Sequence, residues 1–106
     1  MAEQRPATFE LSGAEGRYRL AGVAGFGNGR ALLLRGTGAF SGQAAVEVDL
    51  SGVTSTDSAG LAVLLTWVQH ARATGQQLRF DALPPQLAAI ARVCGVESML
   101  AAAAGP

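Results

Sequence analysis

The sequence has little of several things that particular biochemical roles require. Cys94 is its one cysteine, so no disulfide can form within the chain and no cysteine cluster is available for a metal. Charged residues make up 15% of the chain and its net charge is zero, which disfavours nucleic-acid binding through a basic surface. No apolar run approaches the ~18 residues of a membrane span, and no basic-then-apolar leader opens the chain. These absences favour a cytoplasmic protein without direct membrane insertion, bound metal or cofactor.

The chain does have a high apolar content, 49% of its 106 residues. This length fits one domain, because two separate cores of half the size would each bury too little apolar surface. We expect a single domain over residues 1–106, with an ordered core at about 7–100 and a frayed tail at 101–106.

The first half of the chain alternates strand patterns with glycine. Apolar and polar residues alternate at 8–11 and 17–21 on either side of a Gly-rich turn, which predicts a β-hairpin. The segment 25–42 contains six glycines around a short apolar run. It predicts one short helix at about 28–35, with Asn28 as a possible cap, or a loop with a single helical turn.

The second half has stronger signals. A β-rich segment at 44–50 leads through a polar loop at 51–57 into a long helical pattern at 58–74, which Gly75 ends. A strand at 76–81 and a helix from Pro84-Pro85 to about Cys94 follow. The order β-β-(α)-β-α-β-α predicts an α/β fold, a mixed β-sheet with helices packed against it.

The segment 46–65 resembles the signature of the STAS family. A buried strand ends in Asp49-Leu50-Ser51, a short polar loop follows, and Asp57-Ser58-Ala59-Gly60-Leu61 opens a helix. Within the family, residues 57–65 are most similar to the STAS subunits of Mla phospholipid transporters, and anti-sigma-factor antagonists carry a related Asp-Ser-Ser-Gly-Leu-Gly.

The resemblance implies a STAS-like fold and a role in binding other proteins. A transporter subunit would bind the ABC ATPase, and through it the permease, at the cytoplasmic side of the inner membrane. An anti-sigma-factor antagonist would instead bind a kinase that phosphorylates Ser58, the serine directly after the aspartate. Asp57 and Ser58 can also be plain helix caps, which both residue types favour in any protein.

Helical spacing divides the long helix into two sides. One side is interpreted as the core face: Leu61, Leu64, Leu65, Val68 and Arg72. Trp67 lies on the other side, where it predicts a docking patch unless a loop or the chain's tail covers it. The predicted partner-binding residues are Thr56, Asp57, Ser58, Ala59, Val63, Thr66, Trp67 and His70.

Catalysis is not predicted. His70 is the sole histidine and is interpreted as a polar rim residue, while Cys94 is interpreted as a buried, unreactive thiol. Gly25-x-Gly27-x-Gly29 is similar to a phosphate-binding loop, but Leu32 occupies the position where the dinucleotide fingerprint has its third glycine. A small nucleotide-binding protein is therefore the third hypothesis, after a transporter subunit and an anti-sigma-factor antagonist.

Overall fold

A computed structural model describes residues 8–103. Its elements are β1 (Phe9–Ala14), β2 (Arg17–Ala24), α1 (Gly29–Phe40), β3 (Ala45–Thr56), α2 (Ser58–Thr74), β4 (Gln77–Asp81), α3 (Pro85–Val93) and α4 (Glu97–Ala103). The four strands form one sheet in the order β1-β2-β3-β4, in which β1 runs antiparallel to β2 and the other neighbours are parallel. The predicted fold class is confirmed.

The two faces of the sheet differ in chemistry. On β3, Val46, Val48 and Leu50 are buried beneath the helices, and the intervening Glu47 and Asp49 are half-buried on the opposite face. Right-handed crossovers from β2 to β3 and from β3 to β4 place α1 and α2 on the same side of the sheet. The opposite, outer face carries charge pairs, such as Arg79 with Asp81 at 3.1 Å.

Asp49 illustrates how this outer face is organised. The backbone N–H of Ser51 donates to Asp49 Oδ1 at 2.8 Å. This bond, together with the Ser51 hydroxyl and the Arg19 guanidinium, holds the pKa of the Asp49 carboxyl below its ordinary value of 3.8.

Helix α2 lies at the centre of the helical layer. It contacts α1 on one side and α3 and α4 on the other. Asp57 begins the helix as its N-cap, and Gly75 ends it in the left-handed conformation with φ of 75°. The predicted bounds of 58–74 are therefore correct.

Four elements extend beyond their predicted ends: β1 and β2 by three residues each, and β3 and α1 by more. Strand β3 continues through the predicted polar loop because β2 supplies a pairing partner as far as Ala24 opposite Thr56. Helix α1 continues to Phe40 although it contains Gly36 and Gly38. An ideal Cβ on Gly36 would lie 2.2 Å from Cζ2 of Trp67, so glycine is what lets α1 and α2 pack closely at this point.

The end of the chain also differs from expectation. Helix α4 follows α3 where no element was predicted, and Leu100 anchors it in the core with 2% of its surface exposed. The predicted frayed tail at 101–106 lies partly outside the described residues. Within residues 8–103, no helix is long and apolar enough to cross a membrane.

Candidate functional site

The candidate site lies where strands β2 and β3 end side by side. Because the two strands are parallel, their carboxyl ends meet at one edge of the sheet and bring the loop before α1 next to the start of α2. Asp57 joins the two. Its Oδ1 accepts the N–H groups of Ala59 at 2.9 Å and Gly60 at 3.1 Å, and its Oδ2 accepts the N–H of Phe26 at 3.2 Å. Asp57 is thus both the cap of α2 and the anchor of the neighbouring loop.

Asn28 closes that loop from within. It stands at the N-cap position of α1 but makes no side-chain cap bond, contrary to the predicted capping role. Its Nδ2 donates to Val23 O at 2.7 Å and its Oδ1 accepts from Gly25 N at 3.1 Å. The N–H groups of Gly25 and Phe26 are therefore already bonded, and the Asp57 carboxylate occupies the place where a phosphate-binding loop would hold an anion. This arrangement argues against the nucleotide hypothesis.

The first turn of α2 packs tightly against the end of the sheet. An ideal Cβ on Gly60 would lie 2.2 Å from Ala24 O and 2.3 Å from Thr56 Oγ1, so only glycine fits there. Thr56 is 5% exposed, and its N–H donates to Gln86 Oε1 at 3.2 Å. Predicted as a partner-binding residue, Thr56 is an interior residue that positions the turn.

Trp67 is the main correction. The outward orientation predicted for it is wrong, since 2% of its surface is exposed. Its indole Nε1 donates to Leu33 O at 3.3 Å, and its ring packs edge-on against Phe40 with centroids 5.1 Å apart. Val63, predicted on the same side, is 6% exposed and faces Gly29. Helix α1, rather than a loop or the tail, covers these two residues.

The side of α2 that faces solvent is not the side on which the docking patch was predicted. Among the predicted residues, Ser58, Thr66 and His70 are exposed, and Asp57 and Ala59 are half-buried. Ala62 also lies on this side and was missed. We call Ser58, Ala62 and Thr66, spaced four residues apart, the α2 ridge. Its short side chains let another backbone approach the helix closely.

Three other residues differ from their predicted surroundings. Arg72, predicted in the core face, is exposed, and Leu65 is only half-buried. Cys94 is exposed rather than buried, because α3 ends just before it and the chain turns at Gly95 with φ of 73°.

Sequence reasoning also missed two exposed apolar side chains near the site. Phe26 is 80% exposed and Leu34 is 62% exposed. The signal for Phe26 was its position between two glycines in a connecting loop, outside any helix or strand pattern that would direct it toward the core. The signal for Leu34 was the helical period itself, because α1 buries Leu32, Gly36 and Phe40 and leaves Leu34 on the opposite side.

Charge is unevenly distributed around the site. Helices α1, α2 and α3 contain no acidic residue, and α1 carries Arg30 and Arg35. In this region Asp57 is the acidic group, and its carboxylate accepts three backbone N–H bonds. The surface around the start of α2 is therefore neutral to basic, and the chain's acids lie mostly on the strands and their turns.

Comparison with known proteins gives a family and a fold. The family described as MlaB, STAS domain, matches residues 7–101. No curated protein matches the sequence. Among 17 solved chains that match, one is the anti-sigma factor antagonist SpoIIAA in its unphosphorylated form. The two sequences are 14% identical, and the match covers 87% of this chain and 84% of the SpoIIAA chain. The two structures superpose with a TM-score of 0.65.

The likeness to SpoIIAA shows the fold, and the family match spans nearly all of the described residues. STAS domains act by binding other proteins and are generally not catalytic. The chain belongs to the MlaB-type STAS domain family.

Proposed function

We propose that this chain is a non-catalytic accessory subunit of an ABC-type phospholipid transporter of the Mla kind. In this role it binds the MlaF-like ATPase subunit at the cytoplasmic side of the inner membrane and supports the assembly or activity of the complex. Lipid and ATP are handled by the other chains, and outer-membrane lipid asymmetry is the process served. The MlaB-type family match and the similarity of residues 57–65 to Mla subunits support this proposal.

The observation that carries it is the α2 ridge. Ser58, Ala62 and Thr66 are exposed on a helix whose large apolar residues are already buried within the subunit. A partner can therefore dock on the ridge without any rearrangement of the buried core. Since Asp57 holds both the helix and the neighbouring loop, this surface is formed before the partner arrives, which lowers the entropic cost of binding.

The other residues of the site divide into two roles in this proposal. Asp57 and Ala59 are half-buried at the start of the ridge, and His70 is exposed about three turns along the helix, at the rim of this surface. Thr56, Val63 and Trp67 are buried and support the surface from within.

A pair of substitutions on two helices tests the proposal. Ala62→Arg places a long charged side chain in the middle of the ridge, and Ala89→Arg places the same side chain on an exposed position of α3. We expect the purified chain to bind an MlaF-like ABC ATPase from the same cell, Ala62→Arg to weaken that binding at least tenfold, and Ala89→Arg to leave it within about twofold. Titration calorimetry measures all three affinities. Equal binding by the two variants, or no binding by the native chain, contradicts the proposal.

A second candidate is an anti-sigma-factor antagonist switched by phosphorylation. It is favoured by the fold shared with SpoIIAA and by the exposure of Ser58 beside the Asp57 cap. A phosphate on Ser58 adds about −1.5 to −2 charges next to a helix N-terminus, which tolerates them, whereas a partner packed on the ridge would not.

Mass spectrometry of the chain purified from its native cell separates the two candidates. The switch predicts a phosphorylated fraction that disappears in Ser58→Ala and persists in Thr66→Ala, together with a co-purified serine kinase. An unphosphorylated chain that co-purifies with an ABC ATPase and its permease favours the transporter subunit.

A further inference from the structure

A second surface lies on the outer side of α1, at the loop that Asp57 ties to the start of α2. Residues 26–31 and Leu34 line a shallow depression of about 400 Å³. Phe26 and Leu34 are its largest apolar side chains, and both are mostly exposed. Single exposed apolar residues are common in proteins, but two large ones lining the same depression form a patch of the kind that marks interaction sites.

The depression is held in shape in part by Asp57, the residue that also caps α2 at the start of the ridge. Phe26 is tied through its backbone N–H to Asp57, and Asn28 closes the loop beneath it. Its ring nevertheless points away from the core, so the side chain adds little to the fold. A large aromatic group on a rigid loop is well suited to binding, because little conformational entropy is lost when a partner covers it.

The exposed charge around the depression is positive, since the nearby Asp57 carboxylate is half-buried and accepts backbone N–H bonds. Arg30 is part of its lining, Arg35 is exposed one turn further along α1, and residues 16–46 contain no acidic side chain. Arg35 donates to Leu11 O at 3.3 Å, while Arg30 makes no ion pair among the described residues. The depression therefore combines an apolar floor with an unneutralised guanidinium at its edge.

We propose that this depression receives an amphipathic helix of the partner that carries carboxylates on one side. Apolar side chains at positions i and i+3 or i+4 of that helix cover Phe26 and Leu34, and a Glu or Asp beside them pairs with Arg30. A helix suits the location better than a strand, because the depression lies along the flank of α1 and presents no free strand edge. The inference rests on the proposed function for the identity of the partner, the ABC ATPase.

The test measures binding of the purified ATPase to chains altered in the depression. The double variant Phe26→Gln/Leu34→Gln removes the apolar floor and leaves every backbone bond of the loop in place. The control is Val93→Gln, which alters another mostly exposed apolar residue, 87% exposed, on a helix that lies on the other side of α2. We expect the double variant to weaken binding at least tenfold and the control to change it less than twofold.

Arg30→Gln tests the charge of the partner helix. We expect it to weaken binding and to make the remaining affinity less dependent on salt between 50 and about 300 mM than that of the native chain. An unchanged salt dependence would show that Arg30 faces no carboxylate and would overturn the acidic character of the helix.

The outcomes separate this inference from the proposed function. No binding of the ATPase to the native chain overturns both. Binding that Ala62→Arg weakens and Phe26→Gln/Leu34→Gln leaves unchanged overturns the second surface alone. Circular dichroism of each variant confirms that lost binding is not lost folding.

Discussion

The two sides of helix α2 serve different purposes. The side toward α1 carries Val63 and Trp67, which are both buried, and the Trp67 indole donates a hydrogen bond to Leu33 O. The side toward solvent carries Ser58, Ala62 and Thr66, which are small and exposed. The large apolar residues of this helix therefore hold the subunit together, and the small ones are available to a partner. Size alone is thus a poor guide to which side of a central helix binds other proteins.

The packing between α1 and α2 explains why the large residues turn inward. Trp67 packs against Phe40, which in turn packs edge-on against Tyr18 with centroids 5.0 Å apart, so three aromatic rings connect α2, α1 and β2. Each edge-on pair contributes roughly 0.5–1.5 kcal/mol beyond the area it buries. No comparable cluster exists on the solvent side of α2 among the described residues.

The largest effect is expected for Trp67→Ala. Removing a fully buried indole leaves a cavity between α1 and α2 and leaves Phe40 without its partner, which costs about 3–5 kcal/mol of unfolding free energy. Urea unfolding followed by circular dichroism measures the loss. Thr66→Ala, which alters the exposed residue just before Trp67, serves as the control and should change the unfolding free energy by less than about 0.5 kcal/mol. A mild effect of Trp67→Ala would mean that the indole is not in the core.

Two glycines of α1 differ in their surroundings on the side that meets α2 and on the side that does not. Gly36→Ala places a methyl group against the Trp67 ring, so we expect a loss of about 1–3 kcal/mol in spite of alanine's better helix propensity. Gly38→Ala meets nothing within 4 Å and should stabilise the protein by up to ~1 kcal/mol. Thermal unfolding of the pair checks the opposite signs. Equal shifts in Tm would contradict the close approach of α1 and α2.

Asp57 should show an intermediate effect. Asp57→Ala removes the cap of α2 and the acceptor of the Phe26 N–H, with an expected loss of about 1–2 kcal/mol. Asp57→Asn should recover the capping part of this loss, because its amide oxygen can still accept from Ala59 and Gly60, but not the bond from Phe26, because its Nδ2 is a donor. Hydrogen exchange at the Phe26 amide gives a second measurement, and it should accelerate in the alanine variant. Equal losses of unfolding free energy in the alanine and asparagine variants would show that Asp57 does not stabilise the protein by capping α2.

The smallest effect on stability is expected on the ridge itself. Ala62→Arg lies on an exposed helix position and should change the unfolding free energy by less than about 0.5 kcal/mol, although it weakens partner binding. Chemical denaturation checks the first part. A large destabilisation would place Ala62 in an internal contact and remove the distinction between the two sides of α2.

Local signals were enough to predict α2 and the start of the site. Asp57 and Gly75 mark the two ends of the helix through their own backbone preferences, which need no distant contact. Asp57 and Ser58 were predicted at a loop-to-helix junction, and the structure has them directly after β3, because the strand continues to Thr56.

The remaining features depend on contacts between distant segments. Helix α1 continues across Gly36 because Trp67, 31 residues later, fills the space that a side chain would take. The orientation of Trp67 could not follow from spacing along α2 alone, because the number of helices beside α2 decides which side stays exposed. The sequence signal for this contact is a glycine at a buried position of one helix together with a tryptophan on the next helix.

Cysteine labelling provides the most direct test of the claim that the solvent side of α2 is covered by a partner. In a chain with Cys94→Ser, one new cysteine is introduced at Thr66 on the ridge or at Ser12 on strand β1, both exposed. The rate of alkylation is then compared with and without the ABC ATPase. The account predicts that Thr66→Cys is protected at least tenfold in the complex while Ser12→Cys reacts at its free rate. Protection of Ser12→Cys with a fully reactive Thr66→Cys would contradict it.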